Sequence, residues 1–188
     1  INTLQERKPI SPYIYGVNQD MAGVNPTVRR MGGNRMTGYN WENNYSNAGS
    51  DWYHSSDDFI PWHLGIPESQ RRIPGIALTW FHNQSLQQGA KSIITLQMAG
   101  YVAKDGNGTV TEAETAPSPR WCEVRFKKGG SLLLNPDLTD NYVYMDECVN
   151  FLIHTYGLST STSGIFGYIL DNEPDLWSET HPRIHTSK

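Results

Sequence analysis

The sequence predicts a parallel α/β fold, and three observations carry that reading: short apolar segments suited to buried strands, helical patterns lying between them, and long connections placed after strands. The expected strands run from Ile14 to Asn18, Arg30 to Asn34, Ile93 to Met98 and Ile165 to Leu170. The last two are nearly continuous in apolar or β-branched residues, as a strand covered on both faces requires. One helix is expected from Pro74 to about Gln88: proline suits the first turn, Trp80 and Phe81 lie within it, and Gly89 stops it. A second is expected from about Asp140 to Tyr156. Met145, Val149, Leu152 and Tyr156 recur there at helical spacing, and Gly157 stands at the C-terminal cap.

Two connections are long, roughly residues 35–73 and 99–138, well beyond ordinary βα loops. Each follows the C-terminal end of a strand, the face on which parallel α/β folds build their sites, so both read as cleft walls. The first holds Tyr39, Trp41, Tyr45, Trp52, Tyr53 and Trp62, too many aromatics for a solvated linker.

Composition narrows the partners. Charged residues are 18% of the chain and the net charge is −4, so no broad positive field exists to gather nucleic acid or an anionic membrane. No apolar run is long enough to span a bilayer, and no leader pattern opens the chain. The start at Ile1 fits a processed protein, and secretion is the expected localisation. Aromatics are 11% and asparagine and glycine are plentiful, which suits a polar, uncharged, hydroxyl-rich ligand, with core packing as the competing explanation. Cys122 and Cys148 read either as a disulfide or as two buried thiols.

The chemistry concentrates where Ile165–Leu170 runs into Asp171-Asn172-Glu173-Pro174. A carboxylate at the end of a buried strand is held rigidly toward the cleft, as proton transfer to a glycosidic oxygen requires, and an adjacent asparagine can bond a sugar hydroxyl. The competing reading is that Glu173 caps a helix beginning near Pro174.

Asn-Glu-Pro at a strand end resembles the large clan of retaining (β/α)8 glycosidases. The stretches Ile14–Asn18, Arg30–Arg35, Thr37–Asn44, Ser46–Trp52 and Leu170–Trp177 resemble, more narrowly, glycoside hydrolase family 44. The resemblance implies a (β/α)8 TIM barrel of which about strands one to four are present. Residues 13–188 would form its first half, and residues 1–12 an N-terminal segment of an accessory β-sandwich.

It also implies an endo-acting, retaining β-1,4-glucanase acting on cellulose, carboxymethyl-cellulose, mixed-linkage glucan, xyloglucan or xylan. Glu173 would be its general acid/base, the nucleophile would come from the remaining C-terminal half of the barrel, and the chemistry would need no cofactor. Asn172, Asn34, Arg35, Tyr39, Trp41, Trp52 and Trp177 are the expected substrate-binding residues, with Arg35 pairing Glu42 or Asp51 as its structural alternative. A structural calcium is implied too, for which Glu42, Asp105 and Asp140 are the expected ligands; the run Asp105–Thr109 itself fails as an EF-hand, with Val110 at the glycine position and Ala116 at the glutamate position. Two rivals from other classes are a carbohydrate-binding module and a metallohydrolase built on Glu179, His181 and His185. The first needs an antiparallel β-sandwich, and the second lacks a His-Glu-x-x-His motif.

Overall fold

The computed structural model describes residues 5, 7–19 and 23–186. Four parallel strands form the central sheet: β1 (Gly16–Asn18), β2 (Val28–Met31), β3 (Lys91–Leu96) and β4 (Gly167–Leu170), side by side in that order. Val28 pairs with Lys91 and Met31 with Ile94, while Gly167 pairs with Ile93 and Leu170 with Leu96. Helix α1 (Ile76–Gln87) connects β2 to β3, and α2 (Met145–Tyr156) lies between β3 and β4. The expected alternation of strands and helices is therefore present, and its parallel order excludes the β-sandwich of a carbohydrate-binding module. The assignment of residues 1–12 to an accessory sandwich falls partly outside the described residues, and the described residues before Gly16 form no strand.

The boundaries moved for local reasons. Ser11 caps a 3-10 turn at Pro12–Ile14, so β1 begins at Gly16 rather than Ile14. β2 ends at Met31, three residues before the expected end, because Gly33 turns the chain with φ 98° and Asn34–Thr37 form a helical turn. A Cβ on Gly32 would lie 2.4 Å from the Arg30 guanidinium carbon, so a side chain there would have to displace Arg30. α1 starts after Gly75, whose φ of 70° few residues adopt and whose Cα abuts the Phe151 ring. The second helix starts at Met145, not near Asp140. Tyr142–Tyr144, aromatic and β-branched, instead joins a three-stranded sheet beside Trp121–Arg125, which also pairs antiparallel with Tyr101–Ala103.

The two long connections are likewise not plain loops. Gly38–Tyr39, Ser46–Asn47 and Ser55–Asp57 pair antiparallel in the first, and Gly108–Thr109 from the second completes their sheet. Between sheet and helices lies one core containing Met31, Leu78, Phe81, Ile94, Val143 and Leu152. Burial of side chains of this size contributes about 1.5–3 kcal/mol each. Cys122 and Cys148 are buried free thiols within it.

β2 carries two adjacent arginines that point to opposite faces, as strand pleating dictates. Arg29 is fully buried against α1: Nη1 donates to the Phe81 carbonyl (3.2 Å) and to Ser85 Oγ (2.9 Å), and the guanidinium lies over the Phe81 ring. Arg30 points to the other face, toward the site.

Candidate functional site

β4 ends in a sharp double turn. Asp171 (φ 61°) and Glu173 (φ 46°) are both left-handed, with buried Asn172 between them. Glu173 precedes a 3-10 turn at Pro174–Leu176, yet its side chain makes no capping bond there. Instead Glu173 Oε2 accepts a hydrogen bond from Asn172 Nδ2 (3.0 Å), and the rest of the residue stands exposed at the C-terminal end of the sheet. The helix-cap reading of Glu173 therefore has no bond to stand on.

The amide that holds Glu173 is itself held. Arg30 Nη2 donates to Asn172 Oδ1 (2.7 Å) and Arg30 Nη1 to Asn18 Oδ1 (3.1 Å), so the amide oxygen is committed and its N–H faces the carboxylate. Below the turn, Trp177 Nε1 donates to the Asn172 carbonyl (2.8 Å).

Beside this arrangement lies a cavity of about 600 Å³, lined by Gly32, Asn34, Arg35, Trp52, Asp57 and Phe59 among others. Glu173 does not line it; Arg30, packed on Gly32, joins the two. Asn34 and Arg35 thus stand where a cleft residue should, and Asn34 Nδ2 is a buried donor with no protein acceptor. Arg35 is held by Asp57, whose two carboxylate oxygens it bonds, and by Ser46 Oγ at 3.0 Å. Its structural partner is therefore neither Glu42 nor Asp51. The Arg35 guanidinium also lies 4.6 Å from the Phe59 ring centre.

The aromatic expectations divide. Trp52 is 62% exposed at the cavity, its indole open to solvent. Tyr39 and Trp41 are not: both are completely buried. Trp41 stacks on Phe151 at 5.7 Å, and Tyr39 donates to Asn44 Oδ1 at 2.8 Å, so both hold the wall together from inside. Trp177 is also buried, packed with Trp121 and Ile184, and serves as a post under the Asn172 turn rather than a platform.

The acidic residues divide in the same way. Asp105 is bound by Arg120, at 2.8 Å from its Nε, and does not line the cavity that Glu42 and Asp140 share. Glu42 and Asp140 face one cavity of about 140 Å³ together with Asn40 and Asn43. Burial, then Asp140 and Glu147, push the Glu42 carboxyl up to about 8. Glu42, Asp140 and the Asn40 and Asn43 amides are the oxygen donors there that a hard cation would take, and Lys104, Cys122 and Leu138 share the lining. Among the described residues no three His, Cys, Asp or Glu side chains converge as a ligand set, so carbonyl or amide oxygens would have to complete it. The same observation leaves Glu179, His181 and His185 without a shared centre; His181 is buried and its imidazole is pushed down to about 4 by desolvation.

Arg30, Asp57 and Phe59 were not expected from the sequence. Only the Gly-Gly pair after β2 hinted at Arg30, by leaving space for a large side chain.

A model of glycoside hydrolase family 44 matches residues 45–188. The chain is 62% identical over its whole length to a β-mannanase/endoglucanase A of Caldicellulosiruptor saccharolyticus, and 59% identical over 98% of its length to endoglucanase A of Paenibacillus lautus. It spans 14% and 27% of those proteins. A solved Paenibacillus polymyxa xyloglucanase of family 44, in complex with xyloglucan, superposes with a TM-score of 0.94 at 59% identity, over 96% of this chain and 36% of that one.

Proposed function

Since this chain belongs to glycoside hydrolase family 44, we propose that it forms the acid/base side of an endo-acting, retaining β-1,4-glucanase whose nucleophile stands on a strand beyond β4. The carrying observation is the exposed Glu173 at the end of β4, gripped by an Asn172 amide that Arg30 has oriented. The outer edges of β1 and β4 are unpaired within the central sheet, which fits four strands of a (β/α)8 barrel awaiting the rest.

In the first step Glu173 protonates the glycosidic oxygen while the nucleophile, about 5–5.5 Å away across the barrel in such enzymes, attacks the anomeric carbon. In the second, ionised Glu173 takes a proton from water as that water displaces the nucleophile. The Asn172 amide N–H serves the sugar beside the bond cleaved, and Trp52 with Asn34 serves units further along the cavity. A β-1,4-glucan with or without side chains fits an open, aromatic-edged cleft; xyloglucan is the ligand of the solved relative. An insoluble or bulky polymer as substrate supports secretion. Calcium at Glu42 and Asp140, without Asp105, would brace the wall and take no part in proton transfer.

The test replaces Glu173 by Gln in the full-length protein carrying this chain. Turnover of β-1,4-glucan should fall by about 10²–10⁴-fold. Azide should restore turnover of an activated aryl β-cellobioside and yield the β-glycosyl azide, because the nucleophile still forms its intermediate. Undiminished glucan turnover in the Gln variant would sink the assignment.

A further inference from the structure

Asp171, one residue before the catalytic pair, is 3% exposed and carries four donors on one carboxylate. Oδ1 accepts from the Thr37 hydroxyl (2.7 Å) and from the Asn172 N–H (2.8 Å); Oδ2 accepts from the N–H groups of Met98 (2.6 Å) and Ala99 (3.2 Å). Its own N–H donates to the Leu96 carbonyl (3.0 Å). Those donors come from three places: the helical turn after β2, the chain leaving β3, and the catalytic turn itself. From them the geometry points to Asp171 as the positioning residue for proton transfer, a buried carboxylate that sets where Glu173 stands relative to the cleft.

The reasoning is steric and electrostatic. Two left-handed non-glycine residues within three positions cost about 1–2 kcal/mol each, and something must hold them. Charge-assisted bonds to an ionised acceptor are the strong ones, and four on one group fix the turn in space. Thr37 closes the helical turn that begins with Asn34 and Arg35, so the same carboxylate ties the cavity wall to the acid/base. An asparagine there keeps the shape but offers one acceptor oxygen for four donors and sets its own N–H₂ against another donor.

This inference rests on Glu173 being the acid/base, and the experiment separates the two. Glu173→Gln, Asp171→Asn and Thr37→Val are made in the full-length protein and assayed on β-1,4-glucan and on 2,4-dinitrophenyl β-cellobioside with azide. The aryl substrate with azide needs neither the acid nor the base. Asp171→Asn should lose about 10- to 100-fold on glucan, as an ångström of misplacement can, and stay within about threefold of wild type on the aryl substrate; Thr37→Val should show the same split at smaller size. Equal loss on both substrates in Asp171→Asn and in Thr37→Val would overturn the positioning role. Should Asp171→Asn fail to fold, Thr37→Val decides, and equal rates on the two substrates relative to wild type overturn it. If Glu173→Gln itself shows no split, the underlying acid/base assignment fails instead.

Discussion

The cavity wall between Gly33 and His63 and the turn between Asp171 and Trp177 are built by opposite means. The wall is held by bulk. Tyr39 and Trp41 are wholly buried, Asn40, Asn44 and Asn47 spend their amides on the backbone carbonyls of Ala103, Ile73 and His54, and only Trp52, Phe59 and their neighbours reach solvent. The turn has little bulk of its own beyond Trp177 and is held by a few directed bonds on Asp171, Asn172 and Arg30. Bulk tolerates small displacements, whereas a turn fixed by directed bonds transmits them to Glu173. Aromatic substitutions in the wall should therefore register in stability, and substitutions in the turn in turnover.

The largest effect expected on the wall side is Trp41→Ala, at about 3–5 kcal/mol of stability by the usual cost of emptying a buried indole site. Denaturant unfolding of the full-length protein measures it; a loss below about 1 kcal/mol would mean that Trp41 is not the internal prop described. Next comes acid. His181 sits where the two regions meet, close enough to Gly49 that a Cβ on that glycine would lie 3.0 Å from its ring. Its folded imidazole titrates near 4 against 6.5 when unfolded, so the unfolded chain binds the extra proton and stability drains away as pH falls from 6.5 toward 4. The difference between wild type and His181→Gln over that window should approach about 3 kcal/mol, and a flat difference would contradict the burial assigned to His181.

Trp52→Ala is smaller: about 2- to 10-fold in KM for glucan with kcat and melting temperature unchanged, matching roughly 0.5–1.5 kcal/mol of ring contact. A drop in melting temperature would place Trp52 with Trp41 instead. The last effect runs with pH in the opposite direction and concerns Glu42. Because its folded carboxyl titrates near 8 and its unfolded one near 4.5, the folded state holds the proton across that interval and stability should decline as pH rises through it. Calcium should offset the decline, and Glu42→Gln should abolish both the slope and the calcium response, as melting curves at pH 5 and pH 8 with and without chelator would reveal.

The division between bulk and bonds also explains what could be read in advance. Glu173 and Asn172 were legible because an unbroken apolar run delivers them to a strand end, so local order alone places them. Both helices were legible for the same reason, and the second began late only because Tyr142–Tyr144 found a partner strand that no local pattern announces. Trp41, Trp52 and Trp177 were expected to behave alike; which indole faces water depends on partners such as Phe151 for Trp41 and Trp121 for Trp177, far away in the chain. Arg30 meets Asn172 across 142 positions, and Asp57 meets Arg35 through sheet strands only two or three residues long, too short for any periodicity to show. Nothing local in Arg29-Arg30 announces that one guanidinium is buried against α1 while the other reaches Asn172.

Those neighbouring arginines also act as a proofreader of strand alignment. In the observed register Arg29 reaches the Phe81 carbonyl and Ser85 on α1, while Arg30 reaches Asn18 and Asn172 on the other side. A slip of β2 by a single residue would turn every side chain to the opposite face: in one direction the Asn172 amide is left unclaimed, in the other Arg30 is carried to the helix side at the place of Met31, away from the acceptors that hold Arg29. Alignment of the sheet and orientation of the Asn172 turn thus depend on the same two residues, and a misaligned strand loses one set of these bonds in either direction.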